Sequence, residues 1–550
     1  MKLKKKHFHI ILIFLFSFLI YMNTFSNGFV FDDEFFIVNN FEIRSLKNIP
    51  SFFVESSVGN LYRPIRGVLY SFTYLIWKLN PFGWHLNAIL FHAIITVVVY
   101  LILVEILPKY AFFTSLLFLA HPIHTARVAN MTAGFDLLGI FFLFLAFYNY
   151  IIFRARNEKK FLFYSLVIFV LGLFSSEEAI SLLFLVILYD ICFFKDKIKK
   201  SFKAYSIYFI LFVFYFLIRY SVLRQVGRAG VYFLGDIQTR ILSTLVIFSR
   251  YILIILFPFK LTVDYNVVPY DHFSLPVVAS VLLLSIIIFL GVWLFRFKGH
   301  KIVCFAIGWF FVVLLPFSNL LPVNSFMNDR YLYVASFGFI VLLAYLGGMF
   351  FNRFKDSKKI ASLVFISIFI CYSGFSVVRN SEWDSDILLL SMAVQRQPKS
   401  SIAYNDLGMA YQENQDYDFA FLEYQEAINL NKNNHVAWLN KGTLLGEVGN
   451  YSSAVYYIDR SLSIRESYKG YNNLGLIYYN LGDVENSIIY LIKAIEFNPF
   501  LSKAYMDLGV VYAQEGRLDE AIDLLNKALQ INPNNKDVQY NLDILYSRLI

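Results

Sequence analysis

Three consecutive carboxylates, Asp32, Asp33 and Glu34, stand in the segment Phe31-Asp-Asp-Glu-Phe-Phe-Ile-Val-Asn-Asn40, about ten residues past the first apolar run. Carboxylates gathered where an apolar helix surfaces from a membrane are costly to desolvate and attract protons or metal ions. They form a candidate catalytic cluster, with a solvated helix end as the plain alternative. Arg63, Arg66, Arg127 and Arg330 lie beside apolar runs, where a guanidinium either snorkels to water or grips a lipid-borne phosphate. His121 and His124 are three apart across Pro122 in His121-Pro-Ile-His124-Thr, which suits hydrogen-bonded interfacial histidines more readily than a metal site. Asp136, Glu177, Glu178 and Asp264 complete the polar set. Glu177 and Glu178 open an apolar helix, where capping is the ordinary role. No metal is identified by these residues.

The elements that position these groups are membrane helices. Of 550 residues, 58% are hydrophobic, 19% aromatic and 16% charged, a composition foreign to soluble domains. The net charge of +9 reflects Lys and Arg in short clusters between apolar runs, so it carries topology rather than a nucleic-acid groove. Cys192, Cys304 and Cys371 lie in or beside apolar segments without a CxxC pair and read as packing residues. Four lysines within Met1 to Lys6 precede the apolar run Phe8 to Met22, with no small-residue cleavage site after it. That run is expected to be an uncleaved first helix with a cytoplasmic amino end. Further spans are expected at Trp84–Ile106, Ala111–Ala120, Leu137–Phe153, Phe161–Phe174, Ala179–Phe194, Tyr205–Leu223, Leu275–Phe295, Ile302–Leu321, Tyr331–Phe351 and Ile360–Val378.

The amino tail and the loops Lys109, Arg154–Lys160, Lys195–Lys203, Arg296–Lys301 and Arg353–Lys359 hold nearly half of the chain's 48 Lys and Arg. They share one side only if Ile241–Phe259 is interfacial or re-entrant, which leaves eleven spans. All the polar motifs then share the opposite, outer face.

From about Ser381 the apolar runs stop. Gly408, Gly442, Gly475 and Gly509 recur at the tetratricopeptide period, with small residues at fixed offsets such as Ala420, Ala454, Ser487 and Ala521. The expected architecture is all-α. A polytopic bundle of about eleven spans covers 1–380, with a first outer loop at 28–83. An α-solenoid covers 381–550, with repeats at 401–434, 435–467, 468–501 and 502–535 and a capping helix at 536–550. Its concave face is suited to holding a peptide or protein.

Phe31-Asp-Asp, Tyr62-Arg-Pro64, Gly83-Trp-His-Leu-Asn87 with His92, His121-Pro-Ile-His-Thr125, Asp264-Tyr265, Asp329-Arg-Tyr-Leu-Tyr333 and the repeats keep one order along the chain. Together they resemble the TMTC-type (transmembrane and tetratricopeptide repeat-containing) protein O-mannosyltransferases and their bacterial relatives. The resemblance implies a C-type membrane glycosyltransferase (GT-C) fold and a polyprenyl-phosphate-linked sugar, mannose or another hexose, as donor. It also implies inverting transfer to hydroxyls of exported polypeptides at the outer face of the cytoplasmic membrane. By that pattern Asp33, narrowly ahead of Asp32, is the general base, with Glu34 third. Arg63, Arg66, His121, His124, Arg127 and Arg330 would hold the donor phosphate, supported by Asp136, Glu177, Glu178 and Asp264. The chain departs from its relatives in having Ala126 where they often carry Glu, Gly134-Phe135-Asp136 for Arg-Ala-Asp, and Ser176-Glu177 for Lys-Glu. Two other classes fit the same features: a ligase or polymerase of lipid-linked glycans, and a non-catalytic scaffold that binds proteins through its repeats.

Overall fold

A computed structural model describes residues 2–195, 198–224, 236–319, 325–353, 357–533 and 535–549. Leu321, the expected end of one span, lies outside the described residues, as do parts of the basic loops 195–203 and 353–359. Regular structure among the described residues is helical throughout, with one isolated bridge between Ser57 and Leu61. The chain forms two compact units, Met1–Leu389 and Leu390–Ile550.

The first unit contains α1 (Lys2–Tyr21), α2 (Pro64–Trp77), α3 (Pro81–Ile106), α4 (Ala111–Ala120), α5 (Thr125–Val128), α6 (Met131–Arg156), α7 (Lys159–Leu173), α8 (Leu182–Phe193), α9 (Ile198–Leu223), α10 (Ile237–Leu256), α11 (Leu275–Lys298), α12 (Lys301–Leu314), α13 (Leu332–Phe351) and α14 (Ser357–Ser381). A further helix, α15 (Asp386–Arg396), crosses the boundary between the units. Among the described residues, eight helical stretches are long and apolar enough to cross a membrane, and this is an integral membrane protein. Leu282, Ile286 and Phe289 on α11 are exposed, as a lipid-facing helix requires. The interior is aromatic. The Trp309 ring lies 5.2 Å from Phe147 and 4.6 Å from Phe337, and its indole N–H donates to the Val334 carbonyl at 2.8 Å. A buried indole needs such an acceptor to offset its desolvation.

Side-chain caps fix where several helices begin. The Asn80 amide oxygen accepts from Phe82 N–H at the start of α3, and Asp236 accepts from Thr239 N–H at the start of α10. On α6, Gly139 lets the Ser175–Ser176 turn pack directly on the helix, since a Cβ there would collide with Ser176. That turn delivers Glu177 and Glu178.

The helix α10 has 20 residues, a length of about 30 Å. Four of its hydrogen bonds reach residues at or near the ends of other helices. Gln238 donates to the Asp271 carbonyl before α11, and Thr244 to the Ser318 carbonyl after α12. Tyr251 accepts from Asn328 N–H before α13, and the Ile255 carbonyl meets His121 after α4. Leu242 and Val246 also pack on Val277 and Val281 of α11, and Phe248 packs on Phe310 and Phe311 of α12.

The second unit holds four helix pairs, α16 (Ser401–Glu413) with α17 (Tyr417–Leu430), α18 (His435–Glu447) with α19 (Tyr451–Ile464), α20 (Tyr468–Asn480) with α21 (Val484–Phe497), and α22 (Ser502–Gln514) with α23 (Leu518–Ile531). A last helix, α24 (Lys536–Leu549), follows them. The small residues expected at the helix crossings, Ala420, Ala454, Ser487 and Ala521, are fully buried there.

Candidate active site

The acidic triplet is held from both sides. Asn380, near the end of α14, donates to the Ile20 carbonyl at 2.9 Å, and Asn27 donates to the Asn380 carbonyl at 2.8 Å. Phe31 then takes a left-handed backbone, φ 55°, rare for a bulky side chain. Its N–H donates to Asp386 at 2.7 Å. A five-residue π-helical turn, Glu34–Val38, follows, a form frequent at functional sites.

The three carboxylates have different surroundings. Asp33 is fully buried. Its Oδ1 accepts from Thr132 N–H at 2.7 Å, in the first turn of α6, and its Oδ2 accepts from Val30 N–H at 3.2 Å. Burial pushes its carboxyl up to about 7, against the opposing pull of these hydrogen bonds. Both oxygens of Asp33 are thus engaged with backbone N–H groups and shielded from solvent, unlike those of Asp32. Asp32 keeps 31% of its side chain exposed and accepts from Arg330 Nη1 at 2.7 Å. Glu34 is exposed on the far side of the turn and receives Asn39 at 3.4 Å.

Around Asp32 a dense ionic network closes. Arg63, just before α2, and Arg66, one turn along, both reach Asp136 Oδ1, at 2.6 and 2.9 Å. Arg63 also bonds Glu177 at 2.6 Å. Arg127 on α5 meets Asp136 Oδ2 at 3.1 Å, pairs with Glu178, and donates through Nε to the Arg330 carbonyl at 3.1 Å. Arg219 near the end of α9 stands 3.8 Å from Glu177. Five arginines, Arg63, Arg66, Arg127, Arg219 and Arg330, thus face four carboxylates, Asp32, Asp136, Glu177 and Glu178. A shallow cleft, with room for little more than a water molecule, lies beside Arg63 and Arg66, lined also by Phe36, Asn40, Phe52 and Tyr70.

Three expected members are elsewhere. His121 and His124 are fully buried and turn away from the network into the interior. Nε2 of His121 meets the Ile255 carbonyl at 3.1 Å, and Nε2 of His124 meets Ser336 Oγ at 2.9 Å. Their partners are neutral backbone and hydroxyl groups, and His124 is ringed by Phe118, Tyr333 and His92. Both are hydrogen-bonded within the core, away from the arginines expected to share the donor phosphate. Asp264 Oδ2 is buried without a hydrogen-bond partner among the described residues; the adjacent Tyr265 instead donates to Asp329. Sequence reasoning missed Arg219 and Asp386, and it named Tyr265 and Asp329 within separate motifs without pairing them. Arg219 carried a signal, since it is a charge within the apolar run Tyr205–Leu223. Asp386 carried none. Among the described residues no group of three or more His, Cys, Asp or Glu is placed to hold a metal.

A carboxylate partly open to solvent, fixed by a guanidinium and surrounded by preorganised cations, is equipped to take a proton while negative charge develops beside it.

Models of the tetratricopeptide repeat match residues 402–434, 468–500 and 502–535. The human protein O-mannosyl-transferase TMTC3 is 24% identical over 471 residues, covering 77% of this chain and 51% of its own length. The human protein O-mannosyl-transferase TMTC4 is 24% identical over 462 residues, covering 70% of this chain and 62% of its own. The chain thus spans about half or somewhat more of these relatives. Among solved structures, the tetratricopeptide protein YrrB, described as having an unusual peptide-binding site, is similar at 22% identity with a TM-score of 0.25, over 29% of this chain and 82% of that one.

Proposed function

We propose, taking the chain as a TMTC-type relative, that it is a membrane glycosyltransferase moving mannose or another hexose from a polyprenyl-phosphate carrier to hydroxyls of exported proteins. The observation that carries this reading is Asp32, a partly exposed carboxylate on Arg330 at the edge of a cluster of five arginines. An acceptor hydroxyl attacks the anomeric carbon from the face opposite the phosphate. The new carbon–oxygen bond forms as the bond to the carrier phosphate breaks, Asp32 takes the hydroxyl proton, and the lipid phosphate leaves with the electron pair. Arg330, Arg63 and Arg66 meet the charge on that phosphate, and Asp136, Glu177 and Glu178 hold the guanidiniums in place beforehand. So many guanidiniums in one cluster favour an anionic donor over a neutral one.

The distribution of Lys and Arg supports a cytoplasmic amino end and an outer-facing site. Hydrogen bonds from α10 to the segments beside the ends of α11, α12 and α13 support the interfacial reading of that stretch. The repeats supply a surface for the acceptor polypeptide. The test is Asp32→Asn in the full chain, reconstituted with polyprenyl-phosphate mannose and a protein acceptor. Transfer should fall by about 10²–10⁴-fold while donor binding persists. Near wild-type transfer by well-inserted Asp32→Asn protein would remove Asp32 as the base.

A further inference from the structure

We infer that Asp386 is a positioning residue for this site, resting on the function just proposed: it holds the strained Phe31 turn and thereby sets Asp32 against Arg330. The Phe31 backbone is left-handed, φ 55°, where a Cβ-bearing bulky residue is disfavoured, and it immediately precedes Asp32. A conformation of that kind persists only where its surroundings over-determine it. Asp33 does so from one side, tied to the first turn of α6 and to Val30. The Asp386 carboxylate does so from the other, taking the Phe31 N–H at 2.7 Å.

Around that bond the segments 20–31 and 380–386 run together. Ile20 and Asn27 bond Asn380, and the Gly28 N–H reaches the Asp384 carbonyl at 3.4 Å. Asp386 is not spent on capping its own helix. Ser385 receives Leu388 N–H through its hydroxyl at 3.4 Å and Leu389 N–H through its carbonyl at 3.0 Å, which is the capping position for α15. The Asp386 side chain is therefore free to serve the turn. A charge-assisted hydrogen bond to a strained amide contributes more than a neutral one.

The test compares wild type, Asp386→Ala and Asp386→Asn as full chains in membranes. Hydrogen exchange of the peptide spanning Phe31 reports the grip on the turn without reference to activity. Transfer kinetics with polyprenyl-phosphate mannose report the placement of Asp32. Asp386→Ala should exchange at least about tenfold faster there and lose about tenfold in kcat with KM unchanged, since donor contacts are untouched. Asp386→Asn keeps an oxygen acceptor and should recover most of both. Unchanged exchange in Asp386→Ala overturns the inference, as does faster exchange with unaltered kcat. Absence of transfer by the wild type would sink the proposed function instead, and the exchange comparison would still decide whether Asp386 holds the turn.

Discussion

A carboxylate beside the amino end of a helix ordinarily keeps its charge, because free N–H groups and the helix dipole favour the anion. Asp33 has that position at α6, yet it is cut off from solvent, and burial outweighs the two N–H donors. Its folded value, about 7, lies above the ordinary 3.8, so the folded protein holds this proton more tightly than the unfolded chain. The stability gained is fully present below about 3.8 and is lost as the pH rises through about 7. Asp33→Asn cannot ionise. The Tm of the wild type minus that of the variant, measured in detergent, should therefore decrease between about pH 4 and pH 8, and a difference constant over that range would show that Asp33 stays charged. Asp32, one residue earlier, differs in facing Arg330 and solvent instead of α6, which is why the proposed mechanism gives it the proton and leaves Asp33 as a brace.

At the scale of elements, α6 and α10 do the arranging. The first turn of α6 receives Asp33, its next turn carries Asp136, and Gly139 seats the turn with Glu177 and Glu178, so one helix gathers four of the acidic groups. The helix α10 ties together the ends of α4, α11, α12 and α13. If it lies in the interface, a reporter fused after Val268 is external and one fused at Gly299 is internal. An external Gly299 reporter would make α10 a true span and separate the polar motifs onto two faces.

For the whole molecule, the ionic cluster lies within Met1–Leu389 and the repeats within Leu390–Ile550. Chemistry and acceptor capture are then separable. Removal of residues 398–550 should reduce modification of full-length protein acceptors more than of short hydroxyl-bearing peptides, since a tethered acceptor gains effective concentration that a small peptide does not need. Equal losses on both acceptors, measured by mass spectrometry of the products, would assign the repeats a structural role.

What the sequence determined by itself was whatever depends on local pattern. Apolar run length gave the membrane helices, the glycine period gave the solenoid, and the order of Phe31-Asp-Asp, Tyr62-Arg-Pro64 and Asp329-Arg-Tyr gave the family likeness. It also named most members of the ionic cluster, because charges are rare beside membrane helices and stand out there. Only the tertiary structure decided between neighbours. Whether Asp32 or Asp33 faces the arginines depends on where α6 begins in space, and whether His121 and His124 face a ligand or the core depends on how α10 and α13 pack against the Pro122 turn. Asp386 meets Phe31 across 355 residues of chain, a contact without any periodic signal, since it arises from the packing of α1 beside α14 and not from local sequence.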